Sequence, residues 1–287
     1  MYKILVLGGR GMLGHMVCLV LSNQEQFEVK STSSDKIPNY IWFNIEKEIG
    51  SLKKIIEKFG PFDYIINCIG ILNSSIQKED SNSIKRAILI NAYFPHLLAE
   101  ITSDIGIRVI QISSDAVFSK DSGVCFEDNL CNCDDLYGKT KTLGEVISPN
   151  FLNIRCSIIG PSPYHGGGLL EWFSLQSKGS VIDGFSNQMW NGVTTLQFTK
   201  LCLLLIKDDY FDVVRKEAPI HHFCPNQVIS KYEILKLFKT YLRPDIKVKR
   251  TLNSGDAVSR TLGTRFSSIN GIYGSNSPMK IAIEELT

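Results

Sequence analysis

Tyr137 and Lys141 stand four positions apart in "LYGKTK", a spacing that puts a phenol and an ammonium on one face of a helix. An ammonium beside a phenol favours the phenolate. It lowers a pKa of about 10 and makes the tyrosine a usable proton donor or acceptor near neutrality. The spacing alone is common on solvated helix faces. It gains weight from "ISSDAVF", Ile112 to Phe118, which closes an apolar run and sets Ser113, Ser114 and Asp115 at the end of a strand. In a parallel sheet such strand ends meet the ligand crevice. A serine hydroxyl there can hold a carbonyl oxygen while the tyrosine protonates it.

A carbonyl reduction also needs a hydride donor, and "KILVLGGRGMLGHMV" (Lys3 to Val17) has the features of a dinucleotide turn. Gly9, Gly11 and Gly14 read G-x-G-x-x-G, while Gly8, Gly11 and Gly14 read G-x-x-G-x-x-G. An apolar strand precedes the glycines and a helix opening with Met12 and Leu13 follows them, which is the context that motif requires. Glycine lets the backbone approach a pyrophosphate, and the helix N-terminus offers N–H groups and a positive dipole end. The competing explanation is an ordinary tight strand-to-helix turn. The serine strand and Y-x-x-x-K downstream select Gly8, Gly11 and Gly14 as the working register, with Gly9 an extra loop glycine.

The second strand bears on the choice of nicotinamide cofactor. An acid at its end would bind the 2′-hydroxyl of NAD. Glu28 falls at the strand's start, and the only acid in "KSTSSDK" is Asp35. A 2′-phosphate carries roughly −1.5 to −2 charge and wants donors. Arg10, Ser31 and Thr32, with Ser33 and Lys36 close by, can supply them. The reading favours NADP over NAD, and Asp35 is the residue that speaks for NAD.

These groups need a sheet to position them. Apolar runs at "KILVLG", "FEVKST", "YIWFNI", "DYIINCIG", "RVIQIS" and "FLNIRCSII" alternate with helical segments at Met12 to Ser22, Ser51 to Phe59, Ser83 to Ile105 and Leu136 to Ile147. That alternation predicts an α/β fold, a Rossmann-type doubly wound parallel sheet, over residues 1–160. After Gly160 a Pro- and Gly-rich passage leads to a smaller C-terminal substrate-binding lobe, residues 161–187 and 225–287. A segment at about 188–224 returns to the first domain. Helices are expected at Thr195 to Lys207 and Ser230 to Leu242, and short strands at Ser180 to Phe185 and Pro219 to Phe223.

Composition excludes more than it selects. A net charge of +2 with interspersed signs leaves no nucleic-acid footprint. Runs such as "LCLLLI" are too short to span a bilayer. Arg10, His15 and the glycines interrupt the first apolar stretch, which argues against a secretion signal and for a cytoplasmic protein. The eight cysteines read as reduced thiols. Cys125, Cys131 and Cys133 cluster without a clear fourth ligand, so no metal is expected. His165, His221 and His222 read as structural or surface residues, and His96 as packed on its helix.

Taken together, GxxGxxG, "NCIG" (Asn67 to Gly70), the serine-bearing strand and YxxxK resemble the extended short-chain dehydrogenase/reductases. The chain looks most like their dTDP-4-dehydrorhamnose reductase group, where "S-[ST]-D-x-V-F" and "D-x-Y-G-x-[ST]-K" are typical. The resemblance implies catalytic Ser114, Tyr137 as proton donor, and Lys141 as its electrostatic partner and a ribose ligand. Gly8, Gly11 and Gly14 would hold the pyrophosphate. Asn67, Cys68, Ile69 and Gly70 would line the nicotinamide side, with Asn44, Ile45 and the helix asparagine Asn91 as further cofactor-site residues. Substrate contacts would come from Ser114, Asp115, Trp190, Asn191 and Arg265.

The implied reaction is reduction of the 4-keto group of a nucleoside-diphosphate deoxyhexose, in surface polysaccharide synthesis, by an enzyme family in which homodimers are common. Ala116 departs from the tyrosine of the family's "STDYVF", which leaves the sugar open. Asp115-Ala116 also lacks the Asp-Glu pair usual in the dehydratases. A nucleotide-sugar epimerase and a non-catalytic dinucleotide-binding subunit stand as alternatives.

Overall fold

The computed structural model describes residues 1–164, 167–255 and 258–286, so His165 lies outside the described residues. Seven parallel strands form the main sheet, in the order Ile220–His222, Phe151–Arg155, Arg108–Ile112, Tyr64–Asn67, Tyr2–Leu7, Phe27–Ser33, Ile41–Trp42. The order reverses between Tyr2–Leu7 and Tyr64–Asn67, and a crevice opens beyond the strand ends at such a switch point. Alternate residues of the first strand serve opposite faces. Ile4 and Val6 pack with Val17, Phe198 and Leu201 on one side, while Leu5 and Leu7 pack with Leu52, Phe94 and Leu98 on the other. This two-sided burial is why the strands read as continuous apolar runs.

Several elements are shorter or more broken than the sequence suggests. "YIWFNI" contributes only Ile41–Trp42, because Asn44 turns the chain into the short helix Ile45–Glu48 by capping Glu46 N–H and Lys47 N–H. "FLNIRCSII" breaks after Arg155, and Ile158–Ile159 pairs instead with Val193–Thr194. The long helix expected at Ser83 to Ile105 is Ser81–Ala87, a π-turn at Ile88–Tyr93, then Phe94–Ser103. Pro95 explains the π-turn, since it has no N–H to give to the carbonyl of Asn91 four residues back. The helix of Tyr137 runs Leu136–Leu143 and stops at Gly144, where a Cβ would lie 1.9 Å from the Asn91 oxygen.

A second apolar core forms the lobe, from Leu170, Phe173, Ile182, Leu235, Phe238, Met279 and Ile283. There the strand Val181–Phe185 pairs in parallel with Lys247–Thr251, flanked by the helix Lys231–Tyr241. Among the described residues no helix is long and apolar enough to cross a membrane.

Candidate active site

The glycine turn is built by close approach. Gly8 has a φ of +79°, and a Cβ on it would sit 2.9 Å from Cγ1 of Ile69. On Gly14 a Cβ would lie 2.1 Å from the Gly8 carbonyl oxygen, so this residue lets the helix Met12–Leu21 pack down on the turn. Gly9 is more than an extra loop glycine, since its Cβ would lie 2.7 Å from that of Ser31. At Gly11 a Cβ would meet one atom within 4 Å, the Gly8 oxygen at 3.4 Å, so that position is far less crowded than Gly14. Gly11 is also the helix N-cap, with no side chain capping it and no acid in the first turn. An uncrowded glycine at an uncapped, acid-free helix start fits a pyrophosphate.

Leu13 points into the core, while Met12 places its Sδ 3.8 Å from where a Gly168 Cβ would be, beside the passage into the lobe. Several expected cofactor contacts are spent within the protein. Thr32 is buried and its hydroxyl accepts from Gly8 N–H at 3.0 Å. Ser31 turns toward Cys18. The Asn44 side-chain oxygen is a helix cap and Ile45 is core. Asn91 uses its whole amide: Oδ1 accepts from Ile71 N–H, and Nδ2 donates to the Ile71 carbonyl and to Thr140. It clamps the loop after Tyr64–Asn67 against the helix of Tyr137. Cys68 packs partly into the core, Ile69 abuts Gly8, and Gly70 is exposed beside Asn91.

Arg10 meets the acid that argued against it. Its Nη1 lies 2.9 Å from Asp35 Oδ2, and its guanidinium stacks 4.7 Å from the Tyr164 ring centroid.

On the opposite wall, the Ser114 hydroxyl is among the groups that act on the Tyr137 phenol. The Ser114 hydroxyl also donates to Asp115 at 3.3 Å and accepts from Ala116 N–H. Burial pushes the Tyr137 phenol up to about 12, with Ser114 opposing it. Burial outweighs whatever lowering Lys141 gives the phenol. The Lys141 Nζ donates to the Ile112 carbonyl at 2.8 Å, and burial brings its own pKa down to about 8. The tyrosine is therefore protonated at neutral pH, as a proton donor must be.

The lobe residues need the largest correction. Arg265 is exposed, stacked 3.9 Å from the Phe126 ring and paired with Asp128. Arg260 is the arginine that reaches the serine loop, with Nε 3.2 Å from Asp115 Oδ2 and Nη1 donating to the Phe118 carbonyl. Asn191 spends its amide on the backbone of Leu262. Trp190 is half-buried against the lobe core. Cys131 and Cys133 are held by Arg155 and Thr142, and Cys125 is buried in a small apolar cluster. Among the described residues no group of His, Cys, Asp and Glu could hold a metal ion.

The family model described as the RmlD substrate binding domain matches residues 2–238. The chain belongs to that family. It is 29% identical over 260 residues to the methionine adenosyltransferase 2 subunit beta of Xenopus laevis, covering 84% of this chain and 75% of that one. A dTDP-4-dehydrorhamnose reductase from Bacillus anthracis, solved in complex with NADP, superposes with a TM-score of 0.76 at 17% identity, covering 99% of this chain and 98% of that one. The corresponding Clostridium acetobutylicum reductase gives 0.75 at 19% identity, with 99% and 98% covered. At those identities the two structures establish the shared Rossmann-type fold.

Proposed function

We propose that this member of the RmlD substrate-binding-domain family is an NADP-dependent reductase of a nucleoside-diphosphate 4-keto-deoxyhexose, acting in surface polysaccharide synthesis. The observation that carries the reading is that Ser114 acts on a protonated Tyr137 phenol at the end of the serine strand. A protonated phenol with a serine hydroxyl beside it suits a carbonyl oxygen that gains charge. The nicotinamide supplies the hydride. Ser114 orients the ketone, Tyr137 delivers the proton to the developing alkoxide, and Lys141 keeps a positive charge beneath them. Arg10 would hold the 2′-phosphate of the cofactor, and Gly11 with the first amides of its helix would hold the pyrophosphate. Arg260, rather than Arg265, stands at the substrate side of the serine loop.

A second reading, a dinucleotide-binding subunit without turnover, is favoured by the similarity to a protein named as a subunit. One assay separates them. The chain is mixed with NADPH and a panel of nucleoside-diphosphate 4-ketosugars, and loss of absorbance at the reduced nicotinamide band is followed. Oxidation dependent on one ketosugar supports the reductase. NADPH binding with no oxidation across the panel supports the subunit.

A further inference from the structure

Next to the serine strand lies a buried ion pair, Glu145 with Arg155. At Gly144 the chain turns inward and brings Glu145 under the strand ends. Its Oε1 accepts from the Ser113 hydroxyl at 2.6 Å and from Arg155 Nε at 2.7 Å, and its Oε2 accepts from Arg155 Nη2 at 2.7 Å. The two side chains are only 5% and 4% exposed. Arg155 also donates to Cys131 Sγ at 3.2 Å and to His222 Nε2 at 3.3 Å, and it stacks 5.2 Å from the Phe118 ring. His222 gives its Nδ1 proton to the Gly263 carbonyl, which leaves Nε2 as the acceptor and the imidazole neutral.

We propose that Glu145 and Arg155 are positioning residues of the reductase: the pair fixes the serine strand against the helix of Tyr137 and keeps Lys141 positively charged. The proposal rests on the reductase reading for what that charge is used for, but not for whether it is set this way. Two successive strand residues are tied to two successive turns of chain, the Ile112 carbonyl to Lys141 and the Ser113 hydroxyl to Glu145. Ser114, next along, inherits that placement. Burying a full ion pair is a costly way merely to fill space, because an apolar pair of the same volume often does as well. A pair retained here has its anion one turn from a buried ammonium.

Several titratable groups face Lys141. Glu145 acts on it from its own segment, and Cys156 from the chain just past Phe151–Arg155. Tyr137 lies one turn back, and Asp115 acts on both Tyr137 and Cys156 from the serine loop. Glu127, Cys131 and His222 face Arg155 from the other side. Of these, the Glu145 carboxylate is the first to oppose the burial that drives Lys141 toward neutrality.

The test is a titration of the full chain labelled with [ε-13C]lysine, followed by NMR, with the Lys141 signal identified by its loss in Lys141→Met. The wild-type midpoint should lie near 8. Glu145→Gln leaves the Arg155 cation uncompensated and should lower it by about one unit, a tenfold change in the proton equilibrium. Glu145→Gln/Arg155→Gln leaves no lone charge, should fold where the single variant fails, and should lower the midpoint by less. The alkaline limb of kcat/KM should move in step. A Lys141 midpoint unchanged in whichever variant folds would overturn the proposal. If the wild type turns over no ketosugar, the reductase reading falls, while the lysine titration still decides this one.

Discussion

At the serine strand the polar side chains are buried and each has a named partner, while at the glycine turn the working feature is the absence of side chains. Ser113 donates to Glu145, which pairs with Arg155; Ser114 donates to Asp115, which Arg260 holds from the lobe side; and Lys141 donates to the Ile112 carbonyl. Gly8, Gly9 and Gly14 instead allow backbone to touch backbone or a neighbouring strand. Among the described residues, the ion pair at that end is Arg10–Asp35, with Asp35 58% exposed. The difference fits the role proposed for each end. Proton transfer needs groups with fixed position and controlled charge, which burial supplies. Phosphate binding needs backbone N–H groups and room, which glycine supplies.

The contrast makes the two ends fail differently. Replacing Tyr137 by Phe should cut kcat by ~10²–10⁴ with folding intact by circular dichroism, because the proposed reaction takes its proton from the phenol. Unchanged turnover would remove Tyr137 from the chemistry. At the other end the same class of change strikes the fold. Gly14→Ala forces a methyl against the Gly8 carbonyl and should destabilise by ~1–3 kcal/mol in thermal or denaturant unfolding. Gly11→Ala, which would meet only the Gly8 oxygen at 3.4 Å, should cost less than about 1 kcal/mol of stability and lose NADPH affinity. If both glycines behaved alike, the turn would have a single purpose and the contrast would collapse.

Smaller effects sharpen the cofactor and substrate ends. Arg10→Ala should weaken NADPH by about tenfold, the size of one charged hydrogen bond, and leave NADH nearly unchanged in a fluorescence titration. Asp35→Asn should tighten NADPH by releasing Arg10. Equal effects on both dinucleotides would refute Arg10 as the selector. Arg265→Ala, exposed on Phe126, should change kcat/KM by less than about twofold, as surface substitutions generally do. Arg260→Ala should cost more, since it leaves Asp115 without its cation beside Ser114.

How much of this was legible beforehand differs by residue. Tyr137 and Lys141 share a face because helical spacing puts them there, and Ser114 sits at a strand end because the apolar run stops before it. Both depend on local periodicity, which sequence carries directly. Glu145 also left a trace, an acid four residues beyond the lysine. Its partner Arg155 left none, because a strand lies between them and only the sheet brings them together. Thr32, Asn44, Asn91 and Asn191 have the residue types that bind ligands, but each is spent on backbone groups. Whether a polar side chain is free for a ligand depends on which donors and acceptors burial leaves unmet nearby.

The sequence by itself determined the parallel sheet, the strand-turn-helix at the glycines and the placing of Ser114 at a strand end and of Tyr137 and Lys141 on one helix face, since all three rest on spacing within one or two elements. Tertiary structure alone decided that Arg260 rather than Arg265 reaches the serine loop, that Arg10 meets Asp35, and that burial rather than Lys141 governs the Tyr137 phenol. Those outcomes depend on distances between segments far apart in the chain and on how much water is excluded between them, and a linear pattern encodes neither.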